Sequence, residues 1–382
     1  MKFALTFLFS MLLPALALAQ EPAMPSMPPA PDLAAKAYLL YDYTSQQVLF
    51  DKDGNERMEP ASLTKLMTAY LVFSAIREHK LSLTQTIQPS ADAVHSQDDE
   101  SRMFLQHSKP VTVDEMLHGL IIDSGNDAAR ELALLVGGSE AAFAEQMNRE
   151  AQRLGMHDTH FVNPTGLPNP QHYTTAHDLA LLAAAIAHDF PEYYPIYGQR
   201  EYLYNGIKQY NRNRLLWNDP YVDGMKTGHT DSAGYCLVAS AKRDDRRLIS
   251  VVLGTASNSL RASESQKLLN YGFQHFEAVR LYRKDQPVNT IRLWKGTASK
   301  VGVGFRHDFY LTVPKGLVPQ LRITMETRQP LVAPVVQGQK IGTLNLSLDG
   351  KSYGSFPLVA LNSVPLANVF SRGLDSIRLL FQ

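Results

Sequence analysis

Hydrophobic and polar positions change their rhythm three times along the chain. Residues Phe3 to Leu18, behind Met1-Lys2, are almost continuously apolar. Between about Ala37 and Phe276, short apolar runs such as Tyr38-Leu39-Leu40-Tyr41 and Leu248 to Leu253 alternate with segments of helical spacing. That spacing predicts helices over Leu63 to Ile76, Asp114 to Ile122, Asn126 to Val136, Glu140 to Leu154 and Asp178 to His188, packed on a mixed sheet. From about Ala278 to Ala360 the helical period nearly disappears. Runs such as Phe309 to Val313 and Leu344 to Leu348, punctuated by Pro314, Gly316, Pro330 and the Asp349-Gly350 hairpin signal, predict a separate small all-β domain. Past Val364-Pro365, the residues Val369, Phe370, Leu374, Ile377, Leu380 and Phe381 share one helical stripe. Asn368, Ser371, Arg372, Asp375 and Arg378 fill the rest, which predicts an interfacial amphipathic helix too short and too charged to span a bilayer.

These shifts divide the chain. Residues 1–19 read as a signal peptide, because the apolar run ends in Ala17-Leu18-Ala19, the small residues a signal peptidase reads before Gln20. Residues 20–35 form a Pro-rich linker, expected to be extended. A catalytic domain over 36–277, an all-β domain over 278–361 and a terminal membrane-association helix over 362–382 complete the expected order. No period of 20 to 50 residues repeats, which excludes a solenoid or propeller.

Composition narrows the class further. With 382 residues, 45% of them hydrophobic, and 37 basic against 37 acidic side chains, the chain is a folded protein with no basic excess to suit nucleic acid. Its single cysteine, Cys236, excludes an intramolecular disulfide framework and sits in the apolar run Tyr235 to Ala239, where it reads as a core residue. His157 and His160 lack an H-E-x-x-H frame or a third clustered ligand, and Gly137-Gly138 follows a helix instead of a strand. No metal and no cofactor are expected.

Three motifs carry candidate chemistry. Ser62-Leu63-Thr64-Lys65 opens an apolar helix, so the Lys65 amine and the Ser62 hydroxyl share one face near the helix N-terminus. A serine hydroxyl needs a base within hydrogen-bond reach, and an amine serves only if burial or nearby positive charge lowers its pKa. Ser124-Gly125-Asn126 follows a hydrophobic helix, and a glycine there would let the backbone turn sharply so that both flanking side chains enter one cleft. Ser124 could then relay a proton while Asn126 holds a substrate amide and bonds Lys65. Lys226-Thr227-Gly228-His229-Thr230 precedes a strand-like run; at a sheet edge it sets a cation and a hydroxyl against a substrate carboxylate, with Gly228 removing a side chain that would block a ligand along the strand. Taken singly, the first two motifs are better read as helix caps, and the third has the alternative of an exposed hairpin with a lysine.

Together and in this order, the three are the signature of class A β-lactamases and penicillin-binding proteins. The chain resembles the low-molecular-mass penicillin-binding proteins, the D-alanyl-D-alanine carboxypeptidases of the penicillin-binding protein 5 type. Similar stretches run through Thr159 to Phe161, Tyr173 to Asp178, Asn205 to Ile207, Asn211 to Asn213, Val222 to Thr230, Ser263 to Leu269, Gly342 to Leu344 and Leu348 to Lys351. The resemblance implies an α+β fold: an antiparallel sheet with helices on both sides, then a small β-sandwich and the terminal helix. It further implies that Ser62 attacks the peptide carbonyl between two D-alanines, Lys65 takes its proton, and Ser124 and Lys226 pass a proton to the leaving amine. Asn126 would orient Lys65 and the substrate, the backbone N–H groups of Ser62 and His229 would form the oxyanion hole, Thr227 would bind the terminal carboxylate, and Arg261 would supply charge for it. Arg212 is equally a structural ion-pair partner.

The partners so implied are peptidoglycan stem peptides, β-lactam antibiotics as covalent inhibitors, and a membrane surface on the periplasmic side, with no nucleic acid. Between Ala151 and Asp178 the acids are Asp158 and Asp178 with no glutamate, and Gly125 stands where the signature has Asp. Both features favour a peptidase slow to hydrolyse β-lactams over a β-lactamase. An endopeptidase on cross-linked stems and a silent peptidoglycan-binding scaffold are the other readings of the same residues.

Overall fold

The computed structural model describes residues 29–94 and 100–380, so the expected leader and most of the Pro-rich linker lie outside the described residues. Strands β1 (Ala37–Asp42), β2 (Gln47–Lys52), β3 (Val222–Thr230), β4 (Gly234–Arg243) and β5 (Arg246–Thr255) form an antiparallel sheet in the order β2-β1-β5-β4-β3. The inner strands are apolar on both faces because both faces are covered. Successive side chains alternate between layers: Leu39, Ile249 and Val251 join the cluster of Leu66, Tyr70 and Phe73, whereas Leu40, Leu248 and Val252 join that of Leu268, Leu269 and Phe273. The first layer contains helices α1 (Lys65–Arg77), α2 (Val113–His118), α3 (Asn126–Gly137), α4 (Glu140–Arg153) and α5 (Ala176–Asp189). The second is α6 (Asn258–His275).

Capping fixes several of these helix starts. Thr112 and Glu115 make a reciprocal capping box at α2, and Ser139, Thr175 and Ser257 accept from the first turns of α4, α5 and α6. Two elements depart from expectation. The helix expected to run on to Ile122 loses its regular winding after His118: Gly119–Asp123 makes one wider π turn and ends at Ser124 in the left-handed region. The long α6 was hidden by its own polarity, since Arg261, Glu264 and Ser265 are buried on it and break the apolar stripe.

The C-terminal unit contains β6 (Phe276–Tyr282), β7 (Pro287–Trp294), β8 (Lys300–Gly304), β9 (Phe309–Pro314), β10 (Leu321–Thr327), β11 (Leu331–Val332), β12 (Lys340–Leu348) and β13 (Lys351–Ala360). They form a β6-β9 ribbon and a six-stranded sheet in the order β10-β12-β13-β8-β7-β11. The Asp349-Gly350 signal makes the predicted hairpin, with φ of 51° and 75° as a primed turn requires. Boundaries shift at both ends of this unit. β6 follows α6 directly, so the expected division after residue 277 falls inside a strand, and bridges from Gly296 to Leu366 and from Val335 to Val364 carry the unit past residue 361. The supposed linker is docked by residue 33, because Leu33 is buried with the α6 layer.

A polar hub joins the two units. Buried Thr312 of β9 donates its hydroxyl to Asp42 Oδ2 (2.7 Å), shares a hydrogen bond with Ser45 (2.8 Å), and donates its backbone N–H to Gln47 Oε1 (2.6 Å). Arg246 donates to Asp42 Oδ2 (2.8 Å) and to the Phe276 carbonyl (2.6 Å). Helix α7 (Val369–Leu379), capped by Asn368, leaves its apolar stripe outside: Phe370 is 87% exposed and Leu380 82%. Among the described residues no helix is long and apolar enough to cross a membrane.

Candidate active site

The first motif begins in a tight 3₁₀ turn, Ala61–Thr64, that runs straight into α1. Three residues of that path bring the Lys65 amine to the Ser62 hydroxyl, with Nζ to Oγ at 3.0 Å. The same nitrogen lies 2.6 Å from Asn126 Oδ1 and 2.7 Å from the Thr165 carbonyl oxygen. Those two oxygens can only accept. A neutral amine has two N–H bonds and one lone pair, so they consume both donors and leave the lone pair aimed at Oγ, to receive the Ser62 O–H. The neutral form is the accessible one: the buried amine is pushed down to about 7, first by desolvation, then by the positive charges of Arg212 and Arg130, with Glu100 and Asp127 opposing.

The second motif reaches the cleft by a different turn from the one expected. Ser124 itself takes the left-handed conformation (φ 70°), at a backbone cost on the order of 1 kcal/mol. Gly125 has ordinary negative φ; a Cβ there would sit 2.8 Å from Asp127 Oδ1 and 3.0 Å from the Met103 nitrogen, so its missing side chain admits the neighbouring strap. Asp127 fixes that strap by accepting from the N–H groups of Met103 and Leu105, each at 3.0 Å. Ser124 Oγ accepts from Lys226 Nζ at 2.8 Å, and Lys226 also donates to the Thr227 carbonyl at 2.9 Å. Burial pushes the Lys226 amine well below its ordinary value, helped by the positive charges of Lys65, Arg212 and Arg261. Two hydroxyl–amine pairs thus lie close enough for their charges to interact, Ser62 with Lys65 and Ser124 with Lys226.

Strand β3 closes the cleft from the sheet side. Gly228 is required here for another reason than the expected room for a ligand: a Cβ would meet the Pro60 carbonyl at 2.9 Å and Leu63 at 3.1 Å, so it lets the sheet edge approach the turn that carries Ser62. Thr227 is buried beside Lys226, and His229, at the exposed end of β3, lines the cleft. Arg261 lies one layer deeper. It is buried on α6, donates to the Gly228 carbonyl (2.9 Å) and to Asn258 (3.0 Å), and is not brought to the cleft lining. Arg212 is half-exposed and donates to the Asp123 carbonyl (3.0 Å).

Residues that the motifs did not single out complete the wall. The segment Asn163 to Leu167 folds on the Asn163 side chain, whose Oδ1 accepts from the N–H groups of Thr165 (3.1 Å) and Gly166 (2.7 Å). That turn delivers the Thr165 carbonyl to Lys65, and Gly166 (φ 85°) lies so close that a Cβ would overlap the Ala61 carbonyl. Asn163-Pro164-Thr165-Gly166 is a turn signal that the sequence reading passed over, and nothing local marks its distant partner. Glu100 is the other omission. It enters from the strap before Ser101, accepts from Asn126 Nδ2 at 2.8 Å and pairs with Arg130 at 2.9 Å.

The resulting cavity, about 600 Å³, is lined by Ser62, Glu100, Asn126, Thr165, His229 and Ser232 among others. A second cleft of similar size, beyond α1 and α4, is lined by Arg77, Glu78, Arg149 and Glu150 and holds no motif residue. The first opens on the Ser62 hydroxyl and on Asn126, both bonded to the buried Lys65, with the buried Ser124–Lys226 pair close by: an arrangement that could carry acyl transfer through a serine ester.

Comparison with known proteins agrees with the geometry. The family model described as D-alanyl-D-alanine carboxypeptidase matches residues 24–257, and that of the penicillin-binding protein 5 C-terminal domain matches residues 276–366. The chain is 41% identical to the D-alanyl-D-alanine carboxypeptidase DacC of Escherichia coli K12, over 92% of this chain and 90% of the relative. Its fold superimposes on penicillin binding protein 5 of Haemophilus influenzae with a TM-score of 0.85 and 39% identity, covering 88% of this chain and 99% of that one. It also resembles penicillin-binding protein D2 of Listeria monocytogenes, solved with cefotaxime bound, at a TM-score of 0.60 and 31% identity over 64% of this chain and 99% of that one.

Proposed function

The chain belongs to the D-alanyl-D-alanine carboxypeptidase family, and from that premise we propose how its own residues remove the terminal D-alanine from a peptidoglycan stem. Ser62 Oγ bonds to the carbonyl carbon of the penultimate D-alanine as its proton moves to Lys65 Nζ. The oxyanion that forms is held by the backbone N–H groups of Ser62 and His229, each such donor contributing roughly 3 kcal/mol in acyl-transfer enzymes. The C–N bond then breaks as the leaving amine takes the proton held on Lys65, relayed through Lys226 and Ser124, so that free D-alanine departs, an ester remains on Ser62 and Lys65 is neutral again. Water attacks the ester, its proton passing to Lys65, and the shortened stem is released with the Ser62 hydroxyl restored. Thr227 receives the terminal carboxylate. Arg261 supports that contact through the Gly228 carbonyl it holds and through its buried positive charge.

The observation that carries this reading is the contact of Lys65 Nζ with Ser62 Oγ at 3.0 Å, with both remaining amine protons already committed to Asn126 and Thr165. β-Lactams would acylate the same hydroxyl. The apolar leader would export the chain, and the exposed stripe of α7 would lie in the membrane interface, with the β unit as a spacer. Mass spectrometry of a defined pentapeptide tests the reaction. Loss of one alanine, abolished in Ser62→Ala, is the expected result; an uncleaved pentapeptide with cleavage of cross-linked dimers alone would assign an endopeptidase instead.

A further inference from the structure

Glu100 and Arg130 stand behind the catalytic amide without belonging to any of the three motifs. Glu100 has 7% and Arg130 14% of its side chain exposed, and they pair at 2.9 Å, with a further Arg130 contact to Glu100 Oε1 at 3.1 Å. The pair sits at the end of a chain of contacts that leads to the reacting atoms. Glu100 Oε2 accepts from Asn126 Nδ2 at 2.8 Å, Asn126 Oδ1 accepts from Lys65 Nζ at 2.6 Å, and Nζ meets Ser62 Oγ at 3.0 Å. An amide is nearly symmetric in shape, so its two ends could exchange by a half-turn. A carboxylate only accepts, and so it selects the NH₂ end and turns the oxygen toward Lys65. Arg130 in turn holds the carboxylate in place through both of its oxygens.

We infer that the Glu100–Arg130 ion pair is a positioning device for the catalytic amine, acting through the orientation of Asn126. This rests on the reading of Ser62 and Lys65 given above. The pair also has an electrostatic effect on the amine it positions, because its two charges act on Lys65 with opposite sign. The other charged groups acting there are Arg212, Asp127 and Lys226, which the tested substitutions leave in place.

The test uses the full chain and single-turnover labelling by a fluorescent penicillin across pH, with thermal denaturation of each variant. Glu100→Gln loses the charge and sets a donor beside its acceptor; its acid limb should move to lower pH, and its labelling rate at the high-pH plateau should fall less than that of Glu100→Ala. Arg130→Gln should move the acid limb to higher pH. Glu100→Ala removes the acceptor, and its plateau rate should fall about tenfold to a hundredfold with penicillin affinity less affected. A purely structural role would not move the limb in opposite directions. If a single variant unfolds, the double variant Glu100→Gln with Arg130→Gln removes both charges of the pair, at the cost of the contact of Arg130 with the part-exposed Glu140, and it should restore both the midpoint of denaturation and the position of the limb. Wild-type limbs in both single variants, or an unchanged plateau in Glu100→Ala, overturn the inference. Failure of the wild-type chain to label at Ser62 overturns the reading beneath it.

Discussion

At the scale of single residues, function and stability pull apart at Lys65. Its amine titrates near 7 in the folded chain against 10.5 in the open, so between those values the unfolded chain binds more protons and stability rises with pH. Below about pH 7 the penalty is complete, on the order of 5 kcal/mol. Lys65→Met, which keeps the length of the side chain without a charge, should therefore raise the denaturation midpoint while abolishing acylation, despite leaving two acceptors unpaired. Calorimetry at neutral pH together with penicillin labelling checks both halves; a lower midpoint would show that the buried amine is not under strain. Such residues were legible because their chemistry is local: Ser62, Lys65 and the order of the three motifs lie in the sequence itself. Glu100 and Thr165 were not. What matters in Glu100 is a contact 26 residues away, and Thr165 contributes a backbone oxygen, which every residue possesses.

At the scale of elements, two glycines set how closely the parts of the cleft approach. Gly228→Ala would push β3 against the Pro60 carbonyl, and the expected result is slower acylation with a modest fall in stability. Gly166→Ala is harsher, combining positive φ with direct overlap on the Ala61 carbonyl. It should destabilise by about 3 kcal/mol or more and slow labelling through the displaced Thr165 carbonyl. Denaturation midpoints of the two variants, compared side by side, test that ranking. Most helices and the hairpin at Asp349-Gly350 could be read from period and turn chemistry. The π turn at Gly119–Asp123 could not, since the apolar run Leu120 to Ile122 looks the same wound either way. Gly125 misled for a related reason: a glycine signals either a special backbone angle or a close neighbour, and only the structure shows that Met103 is that neighbour.

At the scale of the whole molecule, the hub of Asp42, Thr312 and Arg246 fixes the β unit to the hairpin end of the catalytic sheet, and α7 is tied to that unit where the Lys295 N–H donates to Asp375 Oδ2 at 2.7 Å. Removal of residues 368–382 keeps the Leu366 bridge and takes away the exposed stripe. The truncated chain should release from phospholipid vesicles in a sedimentation assay while cleaving pentapeptide at the full rate; equal sedimentation of both forms would place the membrane contact elsewhere. Domain order was visible in the shift of rhythm near residue 276, but the joints were not, because Leu33 and β6 are held by distant partners. The account as a whole depends on one proton. Single-turnover acylation of the intact chain by a fluorescent penicillin, followed across pH, measures it directly: the rate should climb through a midpoint near 7 as Lys65 loses its charge, and Ser62→Ala should take no label. A rate that climbs only near the ordinary lysine value of 10.5, or one that does not change with pH at all, would contradict it.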